Sequence, residues 1–257
     1  MSKPPVLFSR EGGGRTGDDA SQIARAFIRV REMLLLGEFG RGERISELPL
    51  VARLGVSRTP IRLALERLAH IGFLDVVPTG GFSVRHFTIA EVLDAIEVRA
   101  VLEGTAARLA AERLTDAADL DHLRKYAAQM TALKGLTIDT MSEYMDANEA
   151  FHAALVDLAK SAMLRRSINQ VSSLPFASPS AMVFPTSVMP NSDEMLKIAN
   201  LHHRSIIEAI SNRQGTRAES LAREHTFVAR HALEGALSDT NALSRVPGGA
   251  LINLSRP

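Results

Sequence analysis

The first part of the chain shows helical apolar patterns that end at glycines. Apolar residues recur at helical spacing over residues 20–36, which predicts a helix with one buried face, and the pattern ends at Gly37. A shorter amphipathic stretch, residues 47–54, ends at Gly55. Because glycine readily takes the left-handed conformation, it can end a helix and turn the chain sharply. The two segments predict a supporting helix and the first helix of a helix-turn-helix.

A second helix and a hairpin are predicted directly after that turn. Ser57 can cap the helix, and Pro60 lies in its first turn, where a missing N–H costs little. Two strand-like runs, residues 73–77 and 82–84, then flank a Pro-Thr-Gly-Gly turn. Two helices about a glycine turn followed by a β-hairpin form a winged helix-turn-helix, which we place at residues 20–87.

The rest of the chain has helical periodicity and no strand pattern. Thr88 and Glu91 match a capping box at the start of this part. The predicted helices span residues 88–114, 115–134, 140–159, 162–171, 193–212 and 216–237. A loop rich in Ser and Pro, residues 172–190, separates the fourth from the fifth. We therefore expect a mainly α protein, in which the winged helix-turn-helix is followed by an all-helical bundle over residues 88–238.

Composition and charge refine this picture. Residues 1–19 are expected to be a disordered tail and residues 239–257 a flexible one. The chain of 257 residues contains no cysteine, no long apolar run and no visible signal peptide, so we expect a cytoplasmic protein without a membrane span. Its net charge of +1 is unevenly distributed. Residues 20–87 carry ten Arg and no Lys against six acids, as contact with phosphates requires.

The second helix of the motif carries the residue types that read DNA. Arg58, Thr59 and Arg62 project from its N-terminal end, where a recognition helix meets base edges, and Arg can grip guanine or a phosphate bidentately. The segment LGVSRTPIRLALERLAHIGFLDVVPTGGFSV closely resembles the DNA-binding segment of the GntR family of bacterial transcription regulators. The resemblance implies DNA contacts by Arg58, Thr59, Arg62 and a wing-tip glycine, Gly80 or Gly81.

One position departs from the GntR pattern. Some members of the family carry a further DNA-reading Arg on the first helix of the motif, and Leu48 stands at that position here.

Three histidines of the helical part are candidates for a metal site. Asn148 and His152 are separated by four residues and share one helix face. His203 and His225 each lie eleven residues from a turn centred at Gln214. If the two helices form an antiparallel hairpin, both imidazoles stand roughly 16 Å from the turn and therefore side by side. Facing side chains of this kind can build a metal site in a bundle, although helical histidines are more often ordinary surface or core residues.

The helical part resembles the FCD effector-binding domain of the FadR branch of the GntR family. The matching segments are FHAAL, HRSIIEAI and the later His225. The resemblance implies a divalent metal held by Asn148, His152, His203 and His225, with Zn²⁺ expected first and Ni²⁺, Mn²⁺ or Fe²⁺ also compatible. Asn148 replaces the family's Asp, a neutral oxygen in place of a carboxylate. Glu149 is within reach of the same helix face.

A small organic acid is the effector that the FCD resemblance implies. Arg99 matches a position that often faces the pocket of the family's domain, and its forked guanidinium would suit a carboxylate. An i,i+4 ion pair with Glu103 is the alternative interpretation of Arg99. Apolar residues of the loop at 172–190 could cover the pocket.

Three functions remain open at this point. The first is a ligand-responsive transcription regulator that binds a palindromic operator as a homodimer, with repression favoured by the resemblance. The second is the same regulator with a metal-free domain for an apolar ligand or a protein partner, which the neutral Asn148 allows. The third, a metalloenzyme fused to a DNA-binding module, is disfavoured because the sequence has no HExxH motif, no cysteine nucleophile and no paired acid and base carboxylates.

Overall fold

The computed structural model describes residues 15–133, 135–174, 176–184, 186–187, 189, 191–238 and 248–253. The N-terminal part, here called the winged module (residues 15–84), contains α1 (Arg15–Leu35), β1 (Arg44–Ile45), α2 (Glu47–Leu54), α3 (Arg58–His70), β2 (Leu74–Val76) and β3 (Phe82–Val84). After β4 (Phe87–Thr88) come the helices of the helical domain: α4 (Ile89–Arg113), α5 (Asp121–Ala132), α6 (Ile138–Leu158), α7 (Ala162–Ser172), α8 (Ser192–Ser211) and α9 (Gly215–Ser238). A last short strand, β5, spans Ile252–Asn253.

The winged module has the predicted helix-turn-helix. Gly55 ends α2 in the left-handed conformation, with φ of 64°, and the chain turns there into α3. The apolar face of α3, including the fully buried Ile61, Leu65 and Leu68, packs on α1. Ser57 occupies the N-cap position in an extended conformation, but its side chain makes no capping hydrogen bond, contrary to the sequence-based prediction.

The wing is a small antiparallel sheet with strand order β1–β3–β2. Its predicted hairpin pairs Leu74 with Val84 and Val76 with Phe82. The third strand, β1, was not predicted, because two residues are too few to show a strand period. It pairs with β3 and so fixes the loop before α2 to the wing.

The helical domain is organised around α4. A complete capping box of Thr88 and Glu91 begins this helix, as predicted. Its most extensive packing is against α9, and the two backbones approach closely at Gly104, where a Cβ would lie 2.6 Å from Arg223 Cγ. Small buried residues follow on the same helix, with Ala106, Ala107, Ala110 and Ala111 fully excluded from solvent. This close approach brings the polar residues of α4 next to those of α9.

Several predicted boundaries differ from the structure. Helix α1 begins at Arg15, inside the predicted tail, whose residues 1–14 lie outside the described residues. The predicted helix over residues 115–134 is a 3₁₀ turn (Ala117–Leu120) followed by α5. Residues 239–247 and 254–257 of the predicted C-terminal tail are likewise outside the described part of the chain.

The expectation of no strand beyond the wing is wrong. Strand β5 pairs in parallel with β4, with Phe87 opposite Ile252 and Thr88 opposite Asn253. Leu251 and Ile252 are buried in the same hydrophobic core as α1 and α3, and the Gly248 N–H donates to the Leu35 carbonyl at 2.7 Å. A two-residue strand leaves no periodic signal, so sequence patterning alone could not identify it. None of the helices in the described ranges has the length and hydropathy that a bilayer crossing requires.

Candidate functional site

The three candidate histidines meet inside the helical domain. His152 comes from α6, His203 from α8 and His225 from α9, and all three are buried. The Nε2 atoms of His203 and His225 are 3.1 Å apart, and those of His225 and His152 are 3.3 Å apart. The equal distance of His203 and His225 from the α8–α9 turn therefore places them side by side, as the spacing predicts.

A buried carboxylate supports this cluster from the opposite side. Glu103 of α4 is only 1% exposed, and its Oε2 lies 3.1 Å from Nδ1 of His152. Burial alone would raise the pKa of the Glu103 carboxyl, but His152 and Arg99 outweigh that effect and the pKa falls to about 2. Glu103 is therefore ionised at neutral pH and can orient the imidazole of His152.

The imidazoles are held in the form that can bind a cation. Burial, with a contribution from the neighbouring imidazoles, keeps the pKa values of His203 and His225 well below the ordinary 6.5. Both rings are therefore neutral at pH 7, and each has a nitrogen lone pair. Three ligand nitrogens lie within 4.8 Å of one another, and this is the one such group of three or more His, Cys, Asp or Glu among the described residues.

This nitrogen set fits a divalent cation. Ligands at about 2.1 Å from a tetrahedral centre are roughly 3.4 Å apart, close to the two Nε2 separations. Without a cation the Nε2 atom of His225 faces two other imidazole nitrogens but carries at most one hydrogen, so it can donate only one hydrogen bond. The Glu103–His152 contact adds the outer carboxylate that commonly accompanies a metal-binding histidine.

Asn148 lies one turn before His152 but has another partner in the structure. It is 4% exposed, and its amide N–H donates a hydrogen bond to Ser180 Oγ at 3.1 Å. The side-chain carbonyl oxygen of Asn148 is then its remaining acceptor atom. Glu149, the other candidate on this face, does not join the cluster: its Oε1 accepts the backbone N–H of Ser180 at 3.1 Å. Ser180 is thus bound by two neighbouring residues of α6.

A cavity opens beside the histidines. Arg99, Asn148, His152 and His225 line one end, and the empty space is about 570 Å³ including its open mouth. Arg99 is 2% exposed, and its Nε and Nη1 atoms are buried without a hydrogen-bond partner. The alternative interpretation of Arg99 is not observed, because Glu103 contacts His152 and no ion pair forms between Glu103 and Arg99 within the described residues.

The loop between α7 and α8, here called the roof loop (residues 173–191), covers this cavity. Its buried residues Met182, Phe184 and Met189 line the cavity wall, as the sequence suggested for some of its apolar residues. Leu174 and Phe176 do not line it and instead face the winged module and β4. Sequence analysis also missed Tyr144, Ser180 and the role of Glu103, since none of them belongs to a local motif.

The candidate DNA-contacting residues lie together on the outside of the winged module. Arg58, Thr59 and Arg62 occupy the first turns of α3 and are exposed. Arg58 forms an ion pair with Glu47 of α2, and Arg62 forms one with Glu66 on its own helix. Both pairs are solvent-exposed and individually weak, so a phosphate can replace either carboxylate.

The wing tip adds a basic residue that the sequence did not single out. Gly80 and Gly81 both have positive φ, 92° and 84°, and form the tip. The Arg44 side chain of β1 donates to Gly80 O at 2.7 Å and to Thr79 Oγ1 at 2.9 Å. Its guanidinium therefore sits at the tip, which could be found only once β1 was known to pair with the wing. Leu48 is exposed on α2 and offers no charge at that position.

A winged helix-turn-helix joined to a helical domain with a buried histidine cluster defines a class of two-domain regulatory proteins. The sequence model described as "Bacterial regulatory proteins, gntR family" matches residues 22–84, and the FCD domain model matches residues 94–229. The chain belongs to the GntR family and carries an FCD domain in its helical part. These families are regulators rather than enzymes.

Individual relatives agree with this assignment. The chain is 37% identical over 134 residues to the Nta operon transcriptional regulator of Aminobacter aminovorans, covering 52% of this chain and 62% of that one. It is 33% identical over 152 residues to the HTH-type transcriptional regulator YdhC of Bacillus subtilis, covering 58% and 65%. The match thus spans less than two thirds of both curated relatives. The structure of Escherichia coli McbR/YncC has a similar fold, with 20% identity, a TM-score of 0.56 and coverage of 82% and 97%.

The lowered pKa values predict an acid-sensitive core in the metal-free protein. Between their folded pKa and 6.5, His203 and His225 bind fewer protons in the folded than in the unfolded chain, so the free energy of unfolding falls as the pH drops below 6.5. Urea denaturation of chelator-treated protein at pH 7.5 and 5.5 should show this loss, and His203→Asn should reduce it. His122→Asn, at an exposed site on α5, should behave as wild type. Equal pH dependence in wild type and His203→Asn would contradict this account.

Proposed function

We propose that the protein is a ligand-responsive transcription regulator that binds operator DNA as a homodimer in the bacterial cytoplasm. A small organic acid, held at a metal site in the helical domain, switches its DNA affinity. The observation that carries the proposal is the buried cluster of His152, His203 and His225 beside a cavity that the unpartnered Arg99 also lines, in the same chain as a basic winged module. Repression released by the acid is the mode that the family resemblance favours.

The winged module supports the DNA-binding part of the proposal. Arg58, Thr59 and Arg62 are exposed at the N-terminal end of α3, the end that enters the major groove in helix-turn-helix proteins. Gly80 and Gly81 at the wing tip have no side chains that would obstruct a close approach to the backbone of DNA. Arg44 provides a positive charge at the same tip. Recognition helix and wing would then contact neighbouring parts of one half-site.

An exposed apolar strip on α4 supports the dimer. Val98 and Val101, one turn apart, are 48% and 41% exposed. Met163 at the start of α7 is 72% exposed, and α7 packs on α4. Exposed apolar side chains of this kind on one side of a domain suit association with a second copy, and two-fold symmetry would match a palindromic operator.

The cavity supports a site for a metal and an acid. His152, His203 and His225 would hold the metal, with the Asn148 carbonyl oxygen as a further donor and Glu103 orienting His152. A bound divalent cation supplies positive charge that attracts an anionic oxygen. The Arg99 guanidinium can donate two parallel hydrogen bonds to the carboxylate of the acid. Residues of the roof loop line the cavity beside both groups.

A second candidate keeps the DNA-binding role but has no metal. Asn148 is neutral and already donates to Ser180, and most of the cavity wall is apolar. In this version the helical domain binds an apolar ligand or a protein partner and the histidines form a polar core cluster. The two candidates differ in metal content and in the effect of chelators on DNA affinity.

Replacing Arg62 by Ala should abolish or strongly weaken specific DNA binding. Loss of a bidentate base contact typically costs about 1–3 kcal/mol, or roughly tenfold to a hundredfold in affinity. A duplex selected from a random library by the wild-type protein provides the operator for a mobility-shift titration. Arg230→Ala removes a comparable exposed i,i+4 pair with Glu234 on α9 and should bind as wild type. Undiminished binding by Arg62→Ala would remove Arg62 from the contact set.

DNA affinity should also fall steeply with salt. Each Arg–phosphate contact releases condensed counterions, so log K should decline linearly with log salt concentration, with a slope near −0.9 per contact. Titrations of the selected duplex between about 50 and 200 mM salt measure the slope. A flat response would contradict contact between the basic winged module and the phosphates.

The Asn148→Asp substitution should tighten metal binding. A carboxylate is a stronger ligand for a dication than an amide oxygen, and the Ser180 hydroxyl can donate to it by giving up its bond to the Met145 carbonyl. We expect about a tenfold gain in Zn²⁺ affinity, the scale on which supporting partners act in metal sites. Competition with a chromophoric chelator measures it. Asn169→Asp, on the exposed side of α7, adds the same charge elsewhere and should change nothing; unchanged affinity in Asn148→Asp would separate position 148 from the cation.

A further inference from the structure

The cavity beside the histidines is polar at one end and apolar over most of its wall. Arg99, Asn148, His152 and His225 form the polar end. The remaining wall consists largely of apolar side chains from the roof loop, α8 and α9, with Tyr144 and Ser192 as its polar members; the apolar ones include Met182, Phe184, Met189, Met195 and Val228. The division between these two surfaces constrains the chemistry of any ligand that fills the space.

Arg99 is a buried cation that requires an acceptor. Its side chain is 2% exposed, and two of its three nitrogens are buried without a hydrogen-bond partner. Glu103, one turn further along α4, is engaged by His152 and forms no ion pair with Arg99. A buried guanidinium without a bonded anion is costly, and a carboxylate matches its two parallel donors. Beside the proposed cation site, Arg99 is therefore the charged side chain of the polar end that can anchor a ligand carboxylate.

The wall offers no charged partner for a second carboxylate. Its thioether, phenyl and aliphatic groups cannot satisfy hydrogen bonds, and the hydroxyls of Tyr144 and Ser192 are too few for a second carboxylate or a polyhydroxylated chain, which would lose its water on entry. Methionine side chains adapt to an apolar body of irregular shape. We infer that the ligand is a monocarboxylic acid with an apolar body, its carboxylate on Arg99 and its body beneath the roof loop. This inference rests on the proposed function and narrows its effector class.

Three acids of equal carbon number test the inference. Hexanoate has one carboxylate and an apolar body, adipate has a second carboxylate, and gluconate has hydroxyls along the chain. Calorimetric titration of the full-length, Zn²⁺-loaded protein should show hexanoate binding at least about tenfold more tightly than adipate or gluconate. Thermal denaturation should show a higher Tm with hexanoate, since a ligand of the folded state stabilises it.

Variants of α4 locate the carboxylate. Arg99→Gln should lose hexanoate binding at least tenfold, and Arg99→Lys should recover part of it because a charge remains. Arg108→Gln, at a half-exposed ion-paired site on the same helix, should bind as wild type. The inference would be overturned if adipate or gluconate bound more tightly than hexanoate. It would also be overturned if Arg99→Gln left the affinity for hexanoate unchanged. A protein that binds Zn²⁺ and DNA but none of the three acids would also overturn the inference. That result would not contradict the proposed role of the protein as a DNA-binding regulator.

A second feature, independent of the cavity walls, is the contact of the roof loop with the winged module. Phe176 has a positive φ of 70°, which is uncommon for a bulky residue, and is only 4% exposed. Its ring packs edge-on against Phe87 of β4, with centroids 5.9 Å apart. A Cβ on Gly248, beside β5, would lie 3.1 Å from the same ring. Phe176 is thus wedged between the two strands that join the parts of the protein.

Neighbouring contacts extend this connection along the first half of the roof loop. Leu174 approaches Gly72, two residues before β2, so closely that a Cβ there would lie 2.9 Å from Leu174 Cδ2. Further along the loop, Ser180 accepts a hydrogen bond from Asn148 and donates to the Met145 carbonyl. Glu149, which accepts the Ser180 N–H, also interacts electrostatically with Arg31 of α1. Three residues of chain separate Phe176 from Ser180 and its hydrogen bonds beside the histidine site.

The geometry points to the roof loop as the element that transmits occupancy of the histidine site to the winged module. A change in the partners of Asn148 alters its hydrogen bond to Ser180, and the loop carries that change to Phe176 and Leu174. The contacts of these two residues with Phe87 and Gly72 then alter how the winged module is held. This is regulation of the proposed site and depends on the proposed function.

Zn²⁺ alone is a sufficient probe of the transmission. DNA affinity of the full-length wild-type protein should differ between Zn²⁺-loaded and chelator-treated samples, and Phe176→Ala should reduce that ratio towards one while Zn²⁺ affinity stays within about twofold. Tyr126→Ala, which removes a partly buried aromatic ring of α5 that stacks on His122, should keep the wild-type ratio. Ser180→Ala, a milder change further along the loop, should reduce the ratio in the same way.

A full wild-type ratio in both Phe176→Ala and Ser180→Ala would overturn this role of the roof loop. A wild-type protein that binds Zn²⁺ and DNA with no change in DNA affinity would also overturn it. In that case the proposed metal site and the proposed DNA-binding surface would both be retained, and only the coupling between them would be refuted.

Discussion

The contact between the buried Glu103 carboxylate and the His152 imidazole is the constraint on which the helical domain depends. A buried charge is costly unless it is paired, and the partner of Glu103 belongs to a cluster of three imidazoles from three other helices. To bring them together, α4 must pack closely on α9, which Gly104 and the small residues after it permit. The α8–α9 turn must also place His203 opposite His225. The polar cluster and the helix packing therefore depend on each other.

The same packing joins the cavity to the winged module. The hydrophobic core of α1 and α3 continues through Phe176, Met182 and Phe184 of the roof loop to the C-terminal half of α9. Strand β5 closes this arrangement by pairing with β4, and Leu251 of the 3₁₀ turn before it packs in the same core as α1. The two parts of the protein thus share one core, so a rearrangement of the roof loop need not cross a solvent-filled gap to affect the DNA-contacting helix.

Much of this architecture could be predicted because the signals are local. The glycine between α2 and α3, the alternating wing strands and the capping box before α4 each lie within a few residues. The proximity of His203 and His225 followed from equal spacing about a turn, which is a geometric consequence of helix rise. Asn148 is placed beside His152 for the same reason, and its role as a metal ligand stays a prediction.

Other features could not be predicted because they depend on which distant residue lies opposite. Helical spacing offered Arg99 as one possible partner of Glu103, yet a histidine from α6 is the partner of Glu103 in the folded chain. Arg44 and β5 are placed by pairing with strands far away in sequence, and segments of two residues carry no period of their own. The capping bond of Ser57 was expected from residue type, but a favourable type only permits a hydrogen bond and does not enforce it.

Metal content of the purified protein tests the central claim most directly. Untagged protein prepared without chelator should contain about one divalent metal per chain by mass spectrometry, and His203→Ala should lose it while keeping its helical circular dichroism. The exposed His122→Ala should retain it. A wild-type protein without metal, which also takes up none from a solution of Zn²⁺, would contradict the account of the histidine cluster and favour an effector held without a cation.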